Sequence, residues 1–252
     1  MTGENTANFD APLTGSMFLY DKPELLTKEE HGDLGICVGD RPYEFARGAR
    51  FVPLTVNEIA SAQKSYPVVF SEEEAPIPLA VVGVQEDRNL FVDEGGRWDE
   101  DCYVPNYLRC YPFALARKDD RFAVVIDRAS AKVGKNPDVP FFDDGELSAD
   151  VQKIADFCVR VEEERQQTRL FMDRLQALGL LSKQGSTYRP AGSDTEVPLA
   201  SYQGIDAEKL QNIDSAVLEE LHRNGYLWAA LAQLYSLENW QRLMRRRESR
   251  SA

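Results

Sequence analysis

LAVVGVQEDRNLFVDEGGRW, residues 79–98, and FALARKDDRFAVVI, residues 113–126, decide the fold class of this 252-residue chain. Leu79 to Val84 is an apolar, β-rich run. Gln85 to Arg88 is a polar turn, and Asn89 to Val92 brings the chain back. Asp93-Glu-Gly-Gly96 is a second tight turn, where glycine takes positive φ without a Cβ penalty. Trp98 follows directly and is expected to be buried beneath the hairpin. Phe113–Ala116 and Arg121–Ile126 make another pair, joined at Lys118 to Asp120. Short strands joined by short polar turns predict an antiparallel sheet rather than βαβ units.

The flanks fit the same plan. Thr55-Val-Asn-Glu58 has capping-box spacing and opens a short helix, Val56 to Lys64, with Ile59 and Ala60 inward. Pro67 stops it, because the residue before proline avoids the helical region. Val68 to Phe70 then reads as a strand. Thr27-Lys-Glu-Glu30 is a second capping box. Ser71 to Glu74 and the prolines at 76 and 78 read as a loop. Between the hairpins, Tyr103 to Pro112 is a helical insert, with Pro105 in its first turn and Pro112 ending it.

From Ser148 the period changes. Val151, Ile154, Phe157, Cys158, Val161, Phe171, Leu175 and Leu178 repeat at helical spacing, predicting a helix to about Leu180. Ser182 to Leu199 reads as a loop. A second helical block runs from Asp206 to about Arg247, divided where Gly225 caps a helix. The predicted class is α+β: an antiparallel β-rich N-terminal half with short helical inserts, and a helical C-terminal half. The expected organisation is a flexible leader at 1–16, a β-rich region at 17–147 and a helical region at 148–252 packing on it as one compact unit.

Composition removes several functions. A net charge of −13 argues against nucleic acid and anionic membranes, which demand a Lys and Arg surplus. No segment has the apolar length for a membrane span. The N-terminus lacks a basic start followed by an apolar run, so it does not read as a signal peptide, and the expected location is cytoplasmic. Cys37, Cys102, Cys110 and Cys158 have no CxxC spacing, and His31 and His222 are the two histidines. No metal and no cofactor are expected, and the cysteines read as buried free thiols.

The two histidines read as exposed or capping residues rather than catalytic bases. Gly134-Lys135-Asn136 runs into Pro137 and is no phosphate loop. The acids around Trp98, namely Asp93, Glu94, Asp99, Glu100 and Asp101, read as a solvated turn ahead of an acid–base pair. Arginines lie among aromatics: Arg47, Arg97 and Arg109 with Trp98, Tyr103, Tyr107 and Tyr111. Arginine pairs bidentately with carboxylates and stacks on rings, so these seven residues are the candidate binding site. Internal bracing, with Arg97 and Arg109 paired to acids such as Asp93 or Asp127, is the favoured reading of the same residues. The basic tail Arg242 to Arg250 complements a helix dipole, with contact to an acidic partner as the second reading.

Taken together, Phe45-Ala-Arg-Gly48, Tyr66-Pro-Val-Val-Phe70, Asn89-Leu-Phe-Val-Asp93, Gly96-Arg-Trp98, Tyr103-Val-Pro105, Tyr107-Leu-Arg109 and Tyr111-Pro-Phe113 resemble the SapC family over most of the chain. So do Leu221-His-Arg-Asn-Gly225 and Leu237-Glu-Asn-Trp-Gln-Arg-Leu243. Cys110 stands where the resemblance leads one to expect a second arginine. The resemblance implies a soluble bacterial accessory protein associated with surface-layer gene clusters. It further implies an association with genes for halogenase-like flavoproteins and outer-membrane receptors. The peptide-transporter permease that shares the name is unrelated.

The expected function is therefore a non-enzymatic cytoplasmic accessory protein that recognises a protein or peptide. The alternative is an enzyme acting on peptide or amino-acid side chains through Arg, Tyr and acid groups near Trp98. YLWAALAQLY, residues 226–235, is apolar on nearly every side, which makes Leu227, Trp228, Leu231 and Leu234 the candidate partner surface, for another protein or a second copy. Full burial of these four within the monomer is an equal alternative.

Overall fold

The computed structural model describes residues 17–84, 88–118, 121–189 and 195–251; the leader and parts of two expected turns lie outside them. The strands are β1 (Pro23–Leu25), β2 (Leu34–Ile36), β3 (Phe51–Pro53), β4 (Val68–Phe70), β5 (Pro78–Val81), β6 (Phe113–Lys118), β7 (Arg121–Asp127), β8 (Val133–Lys135), β9 (Val139–Pro140), β10 (Phe142–Asp143), β11 (Glu146–Leu147), β12 (Leu181–Tyr188) and β13 (Val197–Ile205). The helices are α1 (Lys28–His31), α2 (Ile59–Ala62), α3 (Asn106–Cys110), α4 (Ala149–Ala177), α5 (Ala207–Gln211), α6 (Ser215–Arg223), α7 (Tyr226–Ser236) and α8 (Asn239–Ser251). Every strand pairing is antiparallel, and helices dominate the C-terminal half, so the α+β class holds. The chain divides into two compact units, residues 1–39 with 110–160 and residues 40–109 with 161–252.

In the first unit, β7 lies between β1 and β6, and β2 lies between β8 and β9. Phe113, Ile126, Phe141 and Val151 are buried there. Asp127 is fully buried, and its carboxylate accepts from the Lys22 N–H (2.9 Å), the Ala129 N–H (3.2 Å) and the Tyr111 hydroxyl (2.9 Å). A buried charge is tolerated when its lone pairs are met in this way. Thr27 does not form the expected capping box. Its side chain makes no cap bond, and its backbone N–H donates instead to His31 Nδ1 at 3.3 Å. His31 is thus a capping residue, but a buried one, with Nε2 3.3 Å from Glu24 Oε2.

The second unit holds a five-stranded sheet in the order β12-β13-β4-β5-β3. Its first two strands stand where the composition of Ser182 to Leu199 predicts a loop. Leu181 pairs with Ile205 and Tyr188 with Val197, with an irregularity at Ser186/Thr187. The strand LSKQGSTY is nearly all polar and leaves no apolar stripe to read, because one exposed hairpin edge asks little burial of it. Between β13 and β4 the Cα register is a single pair, Gln203 with Phe70. Fully buried Gln233 of α7 spans the parted strands: its amide donates to Val68 O (2.9 Å) and its oxygen accepts from Ile205 N (3.0 Å). A helix side chain there replaces ladder bonds that buried backbone cannot do without.

The helix predicted over residues 148–180 is α4, with Val151, Cys158, Phe171 and Leu175 buried. The second helical block is four helices. Asp206 caps α5 by accepting from Lys209 N (3.1 Å), Asp214 caps α6 by accepting from Ala216 N (2.8 Å), and Gly225 at φ 76° separates α6 from α7. On the short helix after Thr55, Ile59 and Ala62 face inward and Ala60 faces solvent, contrary to the expected Ile59–Ala60 pair. Its start holds: Glu58 accepts from the Thr55 N–H at 2.8 Å. Among the described residues no helix is long and apolar enough to cross a membrane.

Candidate functional site

Trp98 is 5% exposed, as its position after the glycine turn predicts. Val92 bridges to Trp98 and Gly96 takes φ 72°, closing the Asp93–Gly96 turn. The indole stacks on Phe91 at 6.0 Å and meets Tyr43 edge-on at 5.8 Å. Its N–H donates to the Tyr66 hydroxyl at 3.1 Å, which in turn donates to the Tyr103 carbonyl. Burial pushes the Tyr66 phenol far above its ordinary range. Tyr66 therefore acts as a fixed hydrogen-bond relay between two parts of the backbone, not as an acid.

Arg47 braces the same turn. Its Nε and Nη2 grip the Glu44 carboxylate at 2.7 and 2.8 Å, and Nη2 also donates to the Asp93 carbonyl at 2.7 Å. The Glu44 carboxyl is held below its usual range chiefly by the hydrogen bond from Arg47. Arg97 is exposed, and the bond to Asp93 comes from its backbone N–H (2.8 Å), not its guanidinium. Arg109 is also exposed, and its Nη1 donates to Asn106 Oδ1 at 3.1 Å. Tyr107 is half-buried on α3. Tyr111 belongs to the first unit, where it donates to Asp127.

Tyr103 leads to a group the sequence reading passed over. Its hydroxyl donates to Glu58 Oε1 at 3.0 Å. The same oxygen accepts from the Asn106 N–H at 2.6 Å, and Glu58 Oε2 accepts from the Thr55 N–H and hydroxyl. Burial raises the Glu58 pKa against the pull of these donors. A Glu at the third position of a capping box gave no sign that α3 would dock on it. The carboxylate ties the start of one helix to the start of another.

The basic tail on α8 divides into partly buried and exposed arginines. Arg246 and Arg250 turn inward: Arg246 lies 4.3 Å over the Phe91 ring and pairs with Asp99, and Arg250 donates to the Val92 carbonyl at 2.8 Å. Partial burial alone would raise the Asp99 pKa; the Arg246 bond and the Asp101 N–H outweigh it and lower it. Arg242 and Arg245 are exposed. With Gln63, Lys64, Tyr235, Glu238, Asn239 and Gln241 they line a cleft of about 780 Å³. Arg242 Nη1 is fixed by the Lys64 carbonyl (2.8 Å) and Asn239 Oδ1 (3.1 Å).

The candidate partner surface on α7 is only partly covered. Trp228 is 68% exposed, Tyr235 is 65% exposed, and Leu227, Leu231 and Leu234 are half-buried. The small side chains Ala229, Ala230 and Ala232, with Gln233 and Ser236, take the inward face. Full burial of the four candidates within the monomer is therefore overturned. Trp228, Leu231 and Tyr235 follow i, i+3, i+7 spacing and form one ridge about 10 Å long. Removing two such rings from water contributes on the order of 5 kcal/mol before ordering costs.

Among the described residues the ligand cluster that could hold a metal is Glu24, Glu30 and His31, with ligand atoms within 4.8 Å of one another. Glu24 is already paired with Lys22 at 2.7 Å and with His31. The four cysteines are free; Cys110 and Cys158 are buried, while Cys37 and Cys102 are partly exposed, against the expectation that all four are buried.

No curated protein and no solved structure matches the chain. The profile of the SapC family matches residues 26–243, most of the chain, and the protein belongs to the SapC family.

Proposed function

We propose that this SapC-family protein is a non-enzymatic accessory protein of the cytoplasm that recognises a protein or peptide partner. The exposed ridge of Trp228, Leu231 and Tyr235 carries this reading, because a protein folding alone has no use for two large aromatic rings held in water on one helix face. The groups near Trp98 support it from the other side. Arg47, Tyr66, Tyr103 and Asp99 are each engaged in holding a turn or a helix end. A surface-layer or outer-membrane system is the setting proposed for the partner.

The test compares tagged parent protein with the Trp228→Ala/Tyr235→Ala double variant, both expressed in the source organism and quantified by mass spectrometry. One protein retained by the parent and lost from an equally folded variant is the expected result. Identical retained sets from both would overturn the reading.

A further inference from the structure

The proposed partner surface has a chemistry that the whole chain does not share. The net charge is −13, yet the cleft beside the ridge is lined by Lys64, Arg242 and Arg245 against one acid, Glu238. Arg246 and Arg250, partly buried on the same helix, are engaged with Asp99 and backbone carbonyls. Arg242 holds itself in place through Nη1 alone, and neither Lys64 nor Arg245 makes a side-chain hydrogen bond or ion pair among the described residues. Three cations thus face solvent beside the amides of Gln63 and Gln241, while buried Asn239 is engaged with the backbone and with Arg242. Tyr235 belongs to both the ridge and the cleft, so apolar and cationic surfaces are continuous.

We infer that the cleft binds an acidic segment of the partner, with an aromatic or aliphatic residue of the same segment seated on the Trp228–Tyr235 ridge; this rests on the reading of α7 as a partner surface. Charge complementarity selects this occupant. The net charge of −13 disfavours an acidic segment at long range, while the three cations of the cleft favour it there, which contributes to position and specificity. A second, smaller cleft of about 330 Å³ shares Gln241 and Arg245 and is mixed in character, with Leu199 and the edges of Trp240 and Met244 beside Arg189 and a Glu248 that accepts from the Tyr188 hydroxyl. Guanidinium groups suit carboxylates because they can pair bidentately.

Fluorescein-labelled peptides of roughly twelve residues, enough in extended form to span ridge and cleft, provide the probe. One alternates Glu-Asp pairs with Phe or Leu; the other replaces each acid by Gln or Asn. Anisotropy titrations use the full chain and the Lys64→Glu/Arg245→Glu variant, whose side chains are exposed and whose folding circular dichroism confirms. The acidic peptide is expected to bind at least about tenfold tighter than its amide counterpart at low salt, with the difference lost in the variant and shrinking as salt rises. Equal binding of both peptides, lost in Trp228→Ala, would overturn the acidic preference and leave the ridge standing. Binding of neither would overturn the acidic segment, while the retention comparison above still decides the partner surface. A dimer of the parent protein that Arg245→Glu dissolves would put a second copy in the cleft and overturn the proposal as well.

Discussion

Tyr235 of α7 and Arg245 of α8 line the same cleft. Tyr235 is also the last aromatic of the ridge that begins at Trp228, two turns earlier on the helix. A hydrophobic anchor beside a cationic wall is an arrangement that fixes both the place and the direction of a bound segment. Trp228, Tyr235, Lys64 and Arg245 are exposed, so their contribution to binding separates from the energetics of the fold.

Trp228→Ala and Trp98→Ala are expected to differ sharply in thermal unfolding. Trp228 stands in water, and its loss should leave stability within about 0.5 kcal/mol. Trp98 is buried against Phe91 and Tyr43, and its loss should cost about 3–5 kcal/mol. A stable Trp98→Ala protein would show that the indole does not hold the turn.

Tyr66→Phe keeps the ring against Phe91 and removes one oxygen. The Trp98 N–H and the Tyr103 carbonyl then lose their shared partner, at a cost of about 1–3 kcal/mol by chemical denaturation. No change would mean that water replaces the hydroxyl without penalty.

Glu58 should leave a signature in the pH dependence of stability. Its folded pKa lies above the ordinary value of 4.5, because burial disfavours the charged form. The folded state therefore holds its proton after the unfolded state has released it. The contribution is fully present below about pH 4.5 and is lost as pH rises through the folded pKa. Glu24, Glu44, Asp99 and Glu220 shift the other way and add stability as pH rises. The observable is thus the difference between parent and Glu58→Gln, which should change across mildly acidic pH in the sense of a parent losing ground. A difference independent of pH would remove Glu58 as the source.

Gln233→Leu leaves the helix and removes the bridge between Val68 and Ile205. Two buried backbone groups lose partners at once, so a loss of about 2–5 kcal/mol is expected, with faster hydrogen exchange at the Ile205 amide. Unchanged exchange there would show that the parted strands close without help.

The parts of this fold legible in sequence are those where apolar periodicity and turn chemistry agree. Asp93 to Trp98, the β6–β7 pair, α4 and the Gly225 break all follow from such agreement. The β12–β13 hairpin did not show, because an edge hairpin of Ser, Lys, Gln, Gly and Thr needs no apolar stripe. The binding candidates on the Trp98 turn were found as a cluster but not as separate roles. Trp98 and Tyr103 are near one another in the chain and Arg47 is 51 residues before Trp98; only the packed unit shows Arg47 on Glu44 and Tyr103 on Glu58. Helical spacing sets Arg242, Arg246 and Arg250 on one stripe of α8, so the separation of the engaged arginines from the exposed ones was not legible in the sequence. What it lacked was the neighbour: Lys64 comes from the far end of the chain, and nothing in a linear reading sets it beside Arg242 and Arg245.

Site-specific photocrosslinking in the source organism decides whether the α7–α8 face is the partner surface. A photoreactive phenylalanine analogue is placed at Trp228, at Tyr235, and at Leu170, an exposed apolar control on α4. One protein crosslinked from positions 228 and 235, absent from 170 and lost when Arg242 and Arg245 are changed to Glu, is the expected result. Equal crosslinking from all three positions, or none from 228 and 235, would contradict it.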